Sequence, residues 1–278
     1  MRNFCMSLST IGLILAVITT GNLYAGKRAK NTLPPFEEVT RGMERIPGWF
    51  TFYRDRERGK VLMEIAPEQL ERIFLCTITR EAGDGSVFDS SAMLSGFPFV
   101  LKRVGERVQF IHKNVYYRAA LDAPILRALR RGVTDSILGS TTIVAAPQRR
   151  TGHLLVDANR LFIQDITLVT STFQRMEMSY AFDPENSYFK EVKSFPENAE
   201  IEVVLHYRTE TPPDHLPSLP DARSLLHTYH YSLSKLPESN YRPRIADDRI
   251  GHFVTIYQDY TSVLRDTAYR RYINRWHL

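Results

Sequence analysis

Between Glu200 and Arg208 the apolar residues Ile201, Val203, Leu205 and Tyr207 occupy every second position, with Glu202, His206 and Arg208 among the residues between them. Successive strand side chains point to opposite faces, so a period of two specifies a strand buried on one side and wet on the other, as antiparallel sheets allow. Val61, Met63 and Ile65 likewise share one face, and Phe97–Val104 and Arg107–His112 flank Gly105-Glu106, a connection of hairpin length. Further strands are expected at Ser140–Ala146, His153–Val156, Leu226–Leu233 and His252–Tyr257. Ile73–Ile78 is nearly all apolar and predicts a strand buried on both faces. The fold class that follows is mainly β: antiparallel sheets, sandwich-like, with a few short helices.

The helical signals are brief. Pro67, followed by Glu68, predicts one or two turns through Ala66–Arg72. Asp122 is expected to cap a helix with Pro124 in its first turn and Gly132 just past its end. On it Arg127, Arg130 and Arg131 form a basic face opposite a packing face of Ile125 and Leu129. Asp157 is expected to cap a short helix carrying Leu161 and Phe162.

The chain has 278 residues, 43% of them hydrophobic, which is enough for a sizeable core and excludes wholesale disorder. A net charge of +5, spread along the chain, falls far short of a nucleic-acid signature. Residues 1–25 read as a secretory signal peptide: Arg2, the apolar run Ile11–Ile18, then smaller residues up to Ala25. After its removal Cys76 is the remaining thiol, and no later segment is apolar enough to cross a membrane. An exported protein is therefore expected, whether periplasmic, outer-membrane-associated or extracellular. Residues 26–48 read as an exposed lead-in, 49–210 as a β-rich domain and 221–278 as hairpin and strand segments. Between the last two lies 211–220, a loop with four prolines in ten residues.

Candidate chemistry is sparse. None of the eight histidines is followed by Glu, so no H-E-x-x-H zinc helix exists, and neither a G-x-S-x-G elbow nor a P-loop occurs. His227 and His230 are the closest histidine pair, but three residues on a strand put them on opposite faces, which does not suit shared metal ligation. Gly83-Asp84-Gly85 reads as a turn, Cys76 as core, and Asp221, Asp247 and Asp248 as loop acids that cap or pair with Arg244 and Arg249. No catalytic, cofactor-binding or metal residue is assigned.

Several segments, in their order and spacing, resemble one protein family. They are Pro35–Glu38, Gly48–Tyr53, Val61–Ile65, Leu154–Asp157 with Leu161–Asp165, Tyr231–Pro237, Arg244–Phe253 and Tyr272–Leu278. The family is the N-terminal, non-catalytic region of exported Bacteroidetes-type zinc-dependent metalloproteases. The resemblance implies that Arg275-Trp276-His277-Leu278 leads toward a catalytic domain bearing H-E-x-x-H and zinc, which this sequence does not contain. It thus implies an accessory region of a truncated or split protease, inactive alone. Its partner would be a metalloprotease catalytic domain, in cis or from an adjacent gene. The alternative is a stand-alone exported peptide- or glycan-binding module that uses Trp49, Phe50, Tyr116, Tyr117, Tyr229 and Tyr231.

Overall fold

The computed structural model describes residues 33–213, 216–238, 240–261 and 268–275. The expected signal peptide, the start of the lead-in and Trp276 lie outside the described residues. The strands in chain order are β1 (Glu44–Ile46), β2 (Thr51–Asp55), β3 (Lys60–Ile65), β4 (Phe74–Ala82), β5 (Ala92–Val104), β6 (Arg107–His112) and β7 (Tyr117–Arg118). They continue as β8 (Ser136–Thr142), β9 (Leu154–Asp157), β10 (Ala181–Ser194), β11 (Asn198–Arg208), β12 (Ser224–Lys235), β13 (Val254–Asp259) and β14 (Ala268–Ile273). Four short helices join them, α1 (Phe36–Val39), α2 (Leu126–Gly132), α3 (Asn159–Phe162) and α4 (Val169–Arg175), together with a 3-10 turn at Pro67–Gln69.

The mainly β, antiparallel class is what forms. A seven-stranded sheet runs β10-β11-β12-β4-β5-β6-β8, a four-stranded sheet runs β1-β2-β3-β9, and a three-stranded one runs β14-β13-β7. Every pairing between strands is antiparallel except β13 with β7. The inner face of the large sheet packs with β2, β3, α3 and α4 into one core that includes Phe52, Met63, Phe110, Phe162, Phe173 and Tyr231. On the other face of the four-stranded sheet, Tyr53, Leu62 and Leu155 pack beneath Phe36 of α1. This sheet is therefore covered on both sides, and the segment that was expected to be an exposed lead-in supplies a buried residue and the strand β1.

Other expectations are corrected. β4 alternates, with Phe74, Cys76 and Ile78 buried and Leu75 and Thr77 half-buried, because among the described residues the large sheet is covered on one face only. Asp122 lies too far upstream to cap α2, which starts at Leu126 without a side-chain cap, and none of its residues is buried. Ile125 is exposed and Leu129 only half-buried, so the anticipated packing face does not form. β8 starts earlier than expected, at Ser136, and ends at Thr142. Asp157 accepts from the Asn159 N–H at 3.0 Å, just inside the start of α3. The hairpin turn forms as read, with Val104 opposite Arg107 and Gly105 at φ 60°, a left-handed conformation that glycine adopts without a Cβ clash.

Candidate functional site

The connection from β1 to β2 and the turn after β3 open a cleft of about 340 Å³, lined among others by Arg45, Trp49, Glu64, Arg72, His153 and Lys235. Its floor follows from strand alternation. Val61, Met63 and Ile65 face the main core, so Leu62 and Glu64 must face the other way. A buried carboxylate is costly unless its oxygens are hydrogen-bonded. The Tyr53 hydroxyl donates to one oxygen of Glu64 at 2.9 Å, and His153 Nδ1 lies 2.6 Å from the other. Burial pushes the Tyr53 phenol up, against the opposing pull of an Arg45 hydrogen bond.

Gln69 ties the rim together: its side-chain oxygen accepts from the Ala66 N–H at 2.8 Å and its amide donates to the Trp49 carbonyl at 2.6 Å. The Trp49 ring leans on Phe50 and meets Phe74 edge-on, with centroids 4.2 and 4.5 Å away, and Lys235 Nζ stands 6.0 Å from its centroid. Among the described residues, His153 Nε2 has no hydrogen bond, and neither Arg72 nor Glu68 has an ion pair. The cleft thus combines an aromatic wall, an oriented imidazole and one guanidinium, Arg72, without an ion pair.

A second histidine–carboxylate pair lies inside the main core. His227 Nε2 is 3.2 Å from an Asp84 oxygen, and its Nδ1 is 3.0 Å from the Tyr229 hydroxyl. The other Asp84 oxygen accepts the N–H groups of Ser86 and Val87 at 2.8 and 2.7 Å, closing the turn read at Gly83-Asp84-Gly85. Burial raises the Asp84 carboxyl, but the His227 and backbone hydrogen bonds outweigh it and hold the group below the usual carboxylate range. Phe88 and Tyr207 flank the imidazole, so the pair is sealed from solutes. Nearby, Asp165 accepts the N–H groups of Val169 and Thr170, both at 2.8 Å, and so caps α4.

The third arrangement was not read from the sequence at all. On the outer face of the large sheet, Ser224 Oγ is 2.8 Å from His206 Nε2, and His206 Nδ1 is 2.9 Å from an Asp183 oxygen. The order matches a nucleophile, base and acid. Acyl transfer also needs donors for an oxyanion, and here the Ser224 N–H is taken by the Asp221 carbonyl and the Arg223 N–H by the Asp221 carboxylate. Asp183 also accepts from Asn186 Nδ2 at 2.7 Å across the irregular Pro184–Ser187 stretch of β10. Hydrogen bonds from Asn186 and His206 keep its carboxyl below the usual range. The chain of three braces an irregular edge strand.

The residues singled out earlier are dispersed. Phe50, Tyr229 and Tyr231 are buried in the core, Trp49 is half-buried, and Tyr116 and Tyr117 are exposed near β7. His230 faces away from His227 and pairs with Glu200 at 2.6 Å. Cys76 is buried, and burial alone pushes its thiol far up, which makes it a poor nucleophile. Asp221 pairs with Arg223, Asp247 with Arg249, and Asp248 with Arg271 rather than with Arg244 or Arg249. Among the described residues no cluster of three or more His, Cys, Asp or Glu is placed to hold a metal ion, and no helix is long and apolar enough to cross a membrane.

The three-stranded sheet is amphipathic in an unusual sense. One face stacks Tyr257 on Tyr272 at 5.6 Å and sets the Arg118 guanidinium 4.1 Å above the Tyr257 ring. On the other, Val254 and Ile256 alternate opposite Ile273 and Arg271. Ile256 and Tyr269 are exposed, as are Ile245, Ile250 and, at 90%, Phe253 in the flanking segments.

The described architecture is that of a β-rich antiparallel domain with a cleft beside its four-stranded sheet and exposed apolar residues on and beside its three-stranded sheet. Residues 99–278 match the family described as a domain of unknown function (DUF5117), and the chain belongs to that family. No curated protein and no solved structure matches it. The matched segment begins inside β5, whereas the sheets also draw on β1 to β4.

Proposed function

We propose that this chain is the non-catalytic N-terminal accessory region of an exported zinc-dependent metalloprotease, packing against and orienting the protease domain through its three-stranded sheet. The observation that carries this reading is that Ile256 and Tyr269 are exposed on one face of the three-stranded sheet, with Ile245, Ile250 and Phe253 exposed in the segments beside it. Burying each of these large apolar side chains against a partner would contribute about 1.5–3 kcal/mol. The sequence resemblance supplies the partner's identity, and the leader-like residues 1–25 supply the export.

The test is co-purification with a catalytic domain encoded in frame or in an adjacent gene. Association is expected with the native chain and is expected to be lost when Phe253→Asp and Ile256→Asp are combined, with the circular dichroism spectrum unchanged. Equal association of the double variant would overturn the docking surface. Chelator-sensitive cleavage of casein by the purified chain would overturn the accessory role itself. A second reading, a stand-alone peptide- or glycan-binding module, is favoured by the cleft beside Trp49.

A further inference from the structure

We propose that the cleft between Trp49 and His153 binds the carboxylate end of a peptide, with the last side chain against the Trp49 ring. The inference does not depend on the docking surface and concerns a different part of the chain.

Several polar groups of the cleft are already committed to partners within the fold. Both oxygens of Glu64 are hydrogen-bonded, to Tyr53 and His153. Both ends of the Gln69 amide are bound to backbone, at Ala66 and Trp49. Lys235 donates to the Pro196 carbonyl at 2.8 Å. A polyhydroxylated sugar is recognised by several free amides and carboxylates along its ring, and of Glu64, Glu68 and Gln69 in the lining only Glu68 is uncommitted, which disfavours a glycan. What stays available is cationic or imidazole chemistry: the Arg72 guanidinium, and His153 Nε2, whose ring is oriented through Nδ1 by Glu64.

A planar guanidinium matches a carboxylate with two parallel hydrogen bonds, and His153, whose Nδ1 proton is directed to Glu64, adds a donor at Nε2 when the ring carries both protons. Trp49 and Phe74 supply an apolar wall next to these groups. At about 340 Å³ the cleft is at the small end of the range for ligand sites, which suits one or two terminal residues and not a long chain. Capture of a C-terminal carboxylate beside a pocket for its side chain is a recurring mode of peptide recognition. Glu68 on the same lining disfavours a second negative charge.

The experiment is calorimetric titration of the purified chain with acetyl-Ala-Ala-Phe as the free acid, as its C-terminal amide, and with glucuronic acid. The free acid is expected to bind at least tenfold more tightly than the amide, and glucuronic acid more weakly than the free acid. Arg72→Ala, an exposed residue, is expected to weaken the free acid about tenfold while leaving the unfolding midpoint unchanged. Trp49→Leu is expected to weaken acid and amide alike. Equal binding of acid and amide, no binding of either, or undiminished binding by Arg72→Ala would overturn the proposal. Tighter binding of glucuronic acid than of the peptide would replace the peptide with an acidic sugar. Phe253→Asp combined with Ile256→Asp is expected to bind the peptide normally, which separates this site from the docking surface.

Discussion

His227–Asp84 and His153–Glu64 are chemically similar pairs on one fold, and burial divides them. The side chains of the first are 0% and 1% exposed, those of the second 26% and 10%. In the sealed pair each atom that could act on a solute is already bonded within the core, so the pair fixes the Gly83–Val87 turn against β12. In the cleft pair the carboxylate is buried and the imidazole reaches the surface with one nitrogen to spare. The comparison teaches that a histidine–carboxylate contact becomes a binding device when only its rear half is enclosed.

The largest effect expected from breaking this comparison is at the sealed pair. His227→Ala leaves the Asp84 carboxylate buried beside a void and is expected to cost about 3–5 kcal/mol in urea denaturation. The pH dependence follows from the lowered Asp84 group. A depressed folded-state value stabilises fully above the ordinary carboxylate range, and that stabilisation disappears as pH falls through the folded value. Asp84→Asn should therefore flatten the acid limb of stability against pH below about 4, read by thermal melts across pH. An unchanged acid limb would show that the pair carries no such linkage.

At the cleft pair Glu64→Ala removes the acceptor of Tyr53 and His153 and is expected to cost about 1–3 kcal/mol, less than His227→Ala because water reaches the imidazole. If Glu64→Ala proved the more damaging, the contrast between sealed and half-open pairs would fail. The smallest effect is expected from Asp247→Ala, whose Arg249 partner is exposed and whose loss should leave the denaturation midpoint unmoved.

Much of the fold was readable because alternation is a local signal. Ile201, Val203, Leu205 and Tyr207 are all buried on β11, and the Gly105-Glu106 hairpin lies where its spacing put it. What was not readable depends on the layers above and below a strand. The apolar run at Ile73–Ile78 looks the same whether one face is covered or two, and only the sheet's open outer side decides that Leu75 and Thr77 remain half-exposed. Phe36 could not be recognised as core, since its partners Tyr53, Leu62 and Leu155 are distant in sequence. The cleft escaped for the same reason. Trp49 was noticed as an aromatic, but Glu64 looked like the polar member of an alternating strand, and nothing local joins it to His153 across 89 positions. Its one legible trace was an acidic residue set between Met63 and Ile65 on a strand otherwise rich in apolar side chains. The Asp183–His206–Ser224 brace is likewise a product of register across three strands.

The place of β4 in the large sheet bears on how this family can be studied. β12, within the matched segment, takes β4 as its neighbour from Thr228 to Lys235, and β4 in turn carries β5. A fragment begun at Phe99 would lose β4 and half of β5, leaving β10, β11 and β12 on one side of a gap and β6 and β8 on the other. The unanswered amides along that gap would invite foreign strands. Cloning boundaries for these domains therefore belong upstream of α1, where the sheet's middle stays whole.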